Sequence, residues 1–598
     1  MKKARKIDEH GTVSNLWFLF KIFVKASPLL TIGEIAISIL SRVPSRIVAV
    51  LGVKFIIDEV EKGSSDKIIF GLITISAVMI LSQFIKSVFY ELYAHRERES
   101  LELKIQSMLF KKAAELDLAA YDDPSFYSDF ILAFENVRNF ISRTYWREYI
   151  ESIVSLILVS GILISIDPVI IGVILISSVI SVPVWKKMGL IIADNRKEII
   201  ELKRKSDYFF RLFYQPEYAG EIRISGVSPL LIKRFSDMQD KAVQTRFDNT
   251  KKINGLYFLN KSLTNVLLLT AAVGLYLGYR ITVTKTLSPG DFVAAFNGMG
   301  VVSGTVSYLT GFGLSMLTER SKMIEKMRVF LNTQPAVTDG ASTAEAGVPE
   351  TIKVEDIHFS YEGSDKDSIN GISFEIKPCE KVALVGYNGA GKTTLTNLML
   401  RLYDVTDGRI TVGDTDIRDV TVASHRSRFA AVYQDFRIFS ATVGENVALS
   451  KDFDEKRVLR ALEAAGFDKE LPNGVDTVLL REFDENGIML SGGEQQKIAI
   501  ARIFYRQCPY VILDEPSANL DPDAEYALNK AITEKAADKT VVFISHRLST
   551  TRDADKILML ENGKIIEHGT HSELMAQGGK YYEMFTLQAK KYADKDKL

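Results

Sequence analysis

The sequence predicts two unlike halves: a membrane α-helical domain of six transmembrane helices with long cytoplasmic extensions, fused to a cytoplasmic α/β domain. Three observations predict it. Apolar runs of membrane-spanning length stop before residue 325, basic residues collect in alternate connections, and strand-sized apolar runs alternate with helical patterns after residue 351.

A helix that crosses a bilayer needs roughly 20 mostly apolar residues. Six stretches qualify, at about 28–57, 67–93, 149–166, 168–188, 256–280 and 290–317. The first 27 residues carry six Lys or Arg, and the connections 94–148 and 186–252 are rich in both. Positive charge marks the cytoplasmic side, so both termini are expected inside. The outer connections, such as DEVEKGSSD (58–66) and SIDP (165–168), are acidic or short. The two long basic connections exceed the length of plain loops, and their periodic apolar residues predict membrane helices that continue into the cytoplasm. Two aromatic-rich pieces, YDDPSFYSDF (121–130) and FYQPEYAGEIRISG (213–226), interrupt that pattern with Pro or Gly. Each is either a turn between helical arms or a docking surface.

Glu34, Arg42 and Arg46 fall in or beside the first span. A charge at bilayer depth costs about 2.5–3.5 kcal/mol on insertion scales, so such groups face a cavity, the interface or each other. Arg42 and Arg46 lie one helical turn apart. They either line a translocation path, snorkel to the interface or form a structural ion pair.

In a chain of 598 residues, 74 Lys and Arg against 75 Asp and Glu leave no charge excess pointing to nucleic acid as a partner. The two cysteines, Cys379 and Cys508, are far apart and are expected as buried apolar residues rather than a disulfide or zinc site. The basic N-terminus lacks the short apolar run and cleavage site of a removable signal peptide. The expected domains are 1–331 in the membrane, a linker over 332–350 rich in Ala, Gly, Thr and Pro, and 351–598 in the cytoplasm.

GYNGAGKTT (386–394) follows the strand KVALVG and opens a helical run, which is the P-loop pattern in its strand–loop–helix context. Gly386, Gly389 and Gly391, with Tyr387, Asn388 and Ala390 between them, let backbone N–H groups surround phosphate oxygens. Lys392 reaches the β- and γ-phosphates, and Thr393, followed by Thr394, offers a hydroxyl to Mg²⁺. YVILDEPSANLD (510–521) runs four apolar residues into two acids, either helix caps or catalytic groups. In the catalytic reading Asp514 holds Mg²⁺ and Glu515 is the general base that polarises water.

VVFISHRLS (541–549) ends a third strand at His546, either structural or at the phosphates. Tyr361, 31 residues before Lys392, is either core or an adenine-stacking ring. Gln434 is placed to join the Mg²⁺ and water shell. In LSGGEQQ (490–496), Ser491 and Glu494 form an S-x-x-E capping box at a helix start. The donors at Ser491, Gly492 and Gly493 serve simple capping or suit a phosphate held by another subunit.

GYNGAGKTT, Gln434, LSGGE, ILDEPSANLD and His546, in that order, resemble the nucleotide-binding domain of the ATP-binding cassette family over about 350–590. With six spans ahead, the whole chain resembles a half-transporter of the exporter type (type IV). The resemblance implies a P-loop NTPase fold and a dimer holding two ATPs head to tail, each between one chain's P-loop and the other's Ser491, Gly492 and Gly493. It also implies that Tyr361 stacks on adenine, that Gln434 is the Q-loop residue, and that Glu515 and His546 are catalytic. Asp521 would belong to the loop at the dimer interface. The segments near 121–130 and 213–226 would hold coupling helices, one docking on the partner. Glu494 stands where the family most often has Gln.

The function expected is ATP-driven export of a drug-like, lipid or peptide substrate across the cytoplasmic membrane, with Mg²⁺ as cofactor. The second half-transporter would be an identical or a different chain. The rival is an ATP-gated regulatory or channel-like membrane protein without vectorial transport, against which the intact Glu515 and His546 count.

Overall fold

The structure is a computed structural model that describes residues 10–122, 124–142, 145–345, 347–364, 366–482, 484–515, 536–545 and 550–595. The chain divides into two compact units. One comprises residues 5–112 and 127–333; the other takes in 334–598 together with 113–126.

In the first unit, six helices among the described residues are long and apolar enough to cross a membrane: Pro28–Glu61, Ser65–Glu115, Ala133–Ile166, Pro168–Ile192, Ser228–Thr282 and Pro289–Gly311. Each of the six apolar stretches read from the sequence falls on one of them. Four begin at or next to a proline, where the missing N–H costs nothing because no intrahelical partner exists there. Asp167 caps the fourth span by accepting from the Val169 amide, and Ser288 with Asp291 forms a capping box on the sixth.

The helices continue well past bilayer depth. Pro168–Tyr214 is a single helix of 47 residues, about 70 Å at 1.5 Å per residue. It breaks at Gln215 before Pro216, and the short helix Pro216–Ser225 ends at Gly226, whose φ of 63° is the left-handed cap conformation. The inner core is built from Val159, Leu163, Ile174, Leu269, Leu277, Met299 and their neighbours. The sixth span packs there through small residues: Gly290, Ala294, Ala295 and Gly298 are buried, and a Cβ on Gly298 would meet Leu163 at 2.7 Å. The second span turns Ile69, Phe70, Ile73, Ile80 and Phe84 outward, as a lipid-facing helix does.

The buried charges of the first span are paired. Arg98 donates to Glu34 at 2.8 Å, and Glu151, fully buried, accepts from Arg46 at 3.1 Å and Arg42 at 3.5 Å. Of the readings left open for Arg42 and Arg46, the ion pair is the one these contacts realise.

Among the described residues the second unit contains ten strands. A four-stranded antiparallel sheet has the order β2 (Ile369–Ile376), β1 (Ile352–Phe359), β4 (Asp407–Val412), β5 (Thr415–Asp416). A six-stranded sheet has the order β10 (Lys564–Gly569), β9 (Lys556–Glu561), β3 (Lys381–Gly386), β8 (Thr540–Ile544), β7 (Tyr510–Asp514), β6 (Phe429–Val432). Its strands run parallel from β9 to β6, with only β10 antiparallel. Parallel strands covered on both faces read as continuous apolar runs, which is why KVALVG and YVILD carry no polar alternation.

Cys508 is buried, but Cys379 is exposed, contrary to expectation: it occupies a turn with φ of 60° before β3. The turn puts its side chain outside while its N–H donates to Thr540 Oγ1 at 3.0 Å.

Residues 113–126 belong to this same unit. The short helix Leu118–Asp122 sets Ala119 against the core, and Tyr403 donates to Asp122 at 2.7 Å. Asp117 accepts from the amides of Ala336 and Val337. Burial, reinforced by the Asp122 carboxylate, pushes the Tyr403 phenol far above its ordinary range.

Candidate active site

Parallel strands put their C-terminal ends on one edge of a sheet, where open α/β sheets place ligands. Here that edge carries the P-loop after β3, Ser545 after β8, Asp514 and Glu515 at the end of β7, and Gln434 just past β6. Strands β3, β8, β7 and β6 are consecutive neighbours, so residues scattered over some 160 positions converge.

The P-loop glycines are required for two reasons. Gly386 and Gly391 have φ of 151° and 103°, and a Cβ would lie 2.3 Å from Leu560 O and 2.7 Å from Ser368 O. Gly389 has φ of 79° but faces open space, so only backbone conformation holds it. Tyr387, Asn388 and Gly389 form the exposed crest, and Ala390 is buried beneath. Lys392 is buried at 6% exposure and donates to Gly386 O at 2.8 Å and Tyr387 O at 3.2 Å. Burial lowers its pKa, while Glu515 and Asp514 pull it back up. An ammonium with so little water is predisposed to bind phosphate oxygens.

Thr393 Oγ1 donates to Asp514 Oδ2 at 3.1 Å. A hydroxyl and a carboxylate oxygen side by side below a phosphate cradle fit Mg²⁺, a hard cation that takes one or two protein oxygens and fills its octahedron with water and phosphate. Gln434 Nε2 donates to Glu515 Oε2 at 3.1 Å. Glu515 itself adopts φ of 49°, outside the strand region, and its amide donates to Ile544 O of β8 at 3.1 Å. That kink separates two adjacent acids: Asp514 is 5% exposed, whereas Glu515 retains solvent access.

Tyr361 packs edge-on against Phe359 and Tyr403, at 5.0 and 5.3 Å between ring centroids, and its hydroxyl lies 3.1 Å from Thr394 Oγ1. The ring therefore joins the core while being tethered to the first turn of the P-loop helix, Lys392–Met399. His546 and Asp521 lie outside the described residues.

The LSGGE helix, Gly492–Tyr505, begins with the capping box in full: Glu494 N donates to Ser491 Oγ, and Ser491 N donates to Glu494 Oε2 at 2.7 Å. Ser491 and Gly492 are exposed. Among the described residues no hydrogen bond joins Ser491, Gly492 or Gly493 to the P-loop. Sequence reasoning did not find Lys469, which donates to Glu494 Oε2 at 3.0 Å and to Met489 O at 3.3 Å. A partner 25 positions upstream leaves no local signal.

Comparison with known proteins agrees with this geometry. Residues 369–518 match the ABC transporter family. The ATP-dependent lipid A-core flippase of Vibrio vulnificus (strain YJ016) is 34% identical over 350 residues, which are 58% of this chain and 59% of that protein. The flippase of Chromohalobacter salexigens is 36% identical over 313 residues, 51% and 52% of the two chains. The chain thus spans between half and three fifths of the length of these curated relatives. A bacterial Atm1-family ABC exporter with ATP bound shares the fold, with a TM-score of 0.77 at 22% identity, over 94% of this chain and 98% of that one. Fold and site together define an ABC-type ATPase domain fused to a six-helix membrane domain. Residues 369–518 thus match the ABC transporter family, and the chain as a whole has the fold of an ABC exporter.

Proposed function

We propose that the chain exports a lipid-like amphiphile across the cell membrane, driven by ATP hydrolysis, as one half of a dimer with two shared nucleotide sites. The observation that carries this is the coexistence in one chain of six apolar helices and a complete P-loop edge, with cytoplasmic residues 113–126 built into the ATPase unit. The similarity to lipid flippases favours a lipid-like substrate over a drug or peptide.

In this reading the P-loop amides and Lys392 hold the nucleotide phosphates. Thr393 and Asp514 would hold Mg²⁺, which neutralises phosphate charge. Glu515 accepts the proton of the attacking water, and Gln434, bonded to it at 3.1 Å, orients its carboxylate. The donors of Ser491, Gly492 and Gly493 complete the site of the other subunit, supported by the open helix N-terminus they form. Tyr361, Thr394 and His546 would complete the binding pocket. Two nucleotides closing the ATPase domains must supply about 5.5 kcal/mol of differential binding to swing a conformational equilibrium from 1:99 to 99:1.

The test is reconstitution into inverted vesicles, with ATPase and substrate accumulation measured together. ATP-dependent accumulation of a fluorescent lipid supports the proposal. Hydrolysis-independent, non-vectorial permeability would overturn it in favour of a gated channel.

A further inference from the structure

Tyr361 meets two other aromatic rings beside the P-loop helix, and it meets both nearly at right angles. Its ring stands at 86° to Tyr403 and at 83° to Phe359. Phe359 and Tyr403 in turn lie 5.4 Å apart between centroids. Edge-to-face contact is favoured by the charge distribution of the rings, and rotating Tyr361 would give up both contacts at once. At its far end the Tyr361 hydroxyl lies 3.1 Å from Thr394 Oγ1. Tyr361 is half-buried, whereas Phe359 and Tyr403 are buried.

Tyr403 is itself immobilised. The chain reaches it directly from the end of the P-loop helix, where Arg401 N donates to Leu398 O and Leu402 N to Asn397 O, both at 2.9 Å. The fully buried Arg401 side chain donates to Val420 O at 2.7 Å, to Thr338 O at 2.6 Å and to Asp404 Oδ1 at 3.1 Å, so residues on both sides of Tyr403 are fixed. The phenol donates to Asp122 Oδ2 at 2.7 Å, the short length of a hydroxyl on a carboxylate. A closed circuit results. It runs from Thr394 in the first turn along the helix to Tyr403, across to the Tyr361 ring, and back through the hydroxyl to Thr394. A core needs its space filled, which any apolar chain does; this circuit also fixes a plane. Stacking on a flat ligand depends on that plane, because the favoured arrangement is parallel and offset.

We propose that Tyr403 is a positioning residue for the nucleotide base: its ring sets the plane of Tyr361, so that losing it weakens the hold on the base and leaves the phosphate contacts whole. This rests on the reading of Tyr361 as the base-stacking ring of the nucleotide pocket. Tyr403 acts through Tyr361 alone, and its hydroxyl serves the separate bond to Asp122.

The experiment titrates full-length protein in detergent with ATP and, separately, with inorganic tripolyphosphate, which carries the phosphates and no base. Tyr403→Met fills the space with an unbranched chain and no ring. It is expected to weaken ATP binding about tenfold, the scale of a lost base–aromatic stack, and to bind tripolyphosphate as the parent does. KM for ATP should rise accordingly, with kcat at saturation unchanged. Tyr403→Phe keeps the ring and should restore the parental affinity for ATP. Phe359→Leu removes the second perpendicular ring and should show the same base-selective loss, which decides the matter if Tyr403→Met fails to fold. Equal weakening of ATP and tripolyphosphate would mean general damage to the P-loop helix and overturn the proposal. Parental ATP affinity in Tyr403→Met, where Tyr361→Leu lowers it, would overturn it too while leaving the stacking role standing. ATP affinity unmoved by Tyr361→Leu would remove the base-stacking reading itself, and the positioning role with it.

Discussion

Lys469 Nζ lies 3.0 Å from Glu494 Oε2, so the acid of the LSGGE capping box is charge-paired within its own domain. Both side chains are roughly a quarter to a third exposed, which places the pair at about 0.5–1 kcal/mol. Lys469→Met should weaken ATPase, and adding Glu494→Gln should recover most of the loss, because the uncompensated negative charge is then gone from the LSGGE donors. A double-mutant cycle on KM for ATP checks this. Equal losses in the single and double variants would dismiss the charge argument. Burial pushes the Glu494 carboxyl up, but the Ser491 amide and the Lys469 ammonium hold it below its ordinary value. Its contribution to stability is therefore complete above about pH 4.3 and lost as pH falls through the folded value.

The P-loop glycines should separate by mechanism. Gly391→Ala forces a Cβ against Ser368 O in addition to the strained φ, and should lower the melting temperature as well as ATP affinity. Gly389→Ala meets no atom, so its cost is conformational, about 1 kcal/mol, and falls mainly on nucleotide binding. Calorimetry of both variants with and without ATP distinguishes the two effects.

Glu515→Gln removes the proton acceptor yet preserves a hydrogen-bonding partner for Gln434. ATP binding should persist while turnover falls by at least about a hundredfold, the scale of general-base catalysis. Brisk ATPase in this variant would remove Glu515 from that role.

Glu151→Ala leaves Arg42 and Arg46 without the carboxylate they share. Thermal unfolding in detergent should show a loss of about 3 kcal/mol, the low end for a broken buried pair because both arginines keep some solvent.

His425 is fully buried, accepted by Met399 O and flanked by Arg428, and burial lowers its pKa to about 4 from 6.5. The unfolded chain therefore binds the proton more tightly between these values. Stability of the ATPase unit should fall as pH drops from about 6.5 to 4, by on the order of 3 kcal/mol. A His425→Gln variant should flatten that slope in urea titrations at several pH values.

The spans and the P-loop edge were legible because their signals are local. An apolar run of bilayer length, or Gly-x-x-x-x-Gly-Lys-Thr after a strand, needs no knowledge of the rest of the chain. What sequence could not supply were relations across distance: Glu151 answering Arg46, Lys469 answering Glu494, or Asp122 answering Tyr403. Charge pairing at long separation leaves no periodicity. Cys379 failed for a different reason, since burial was inferred from residue type whereas the left-handed turn decided its exposure.

The bond between Tyr403 and Asp122 has a mechanical consequence. Asp117 and Asp122 rivet their strip of polypeptide to the ATPase unit at Ala336, Val337 and Tyr403. Loosening the rivet with Tyr403→Phe would leave the chemistry intact but let the engine slip. The defect would appear as wasted fuel: more nucleotide consumed for each molecule carried, at an unchanged rate of consumption.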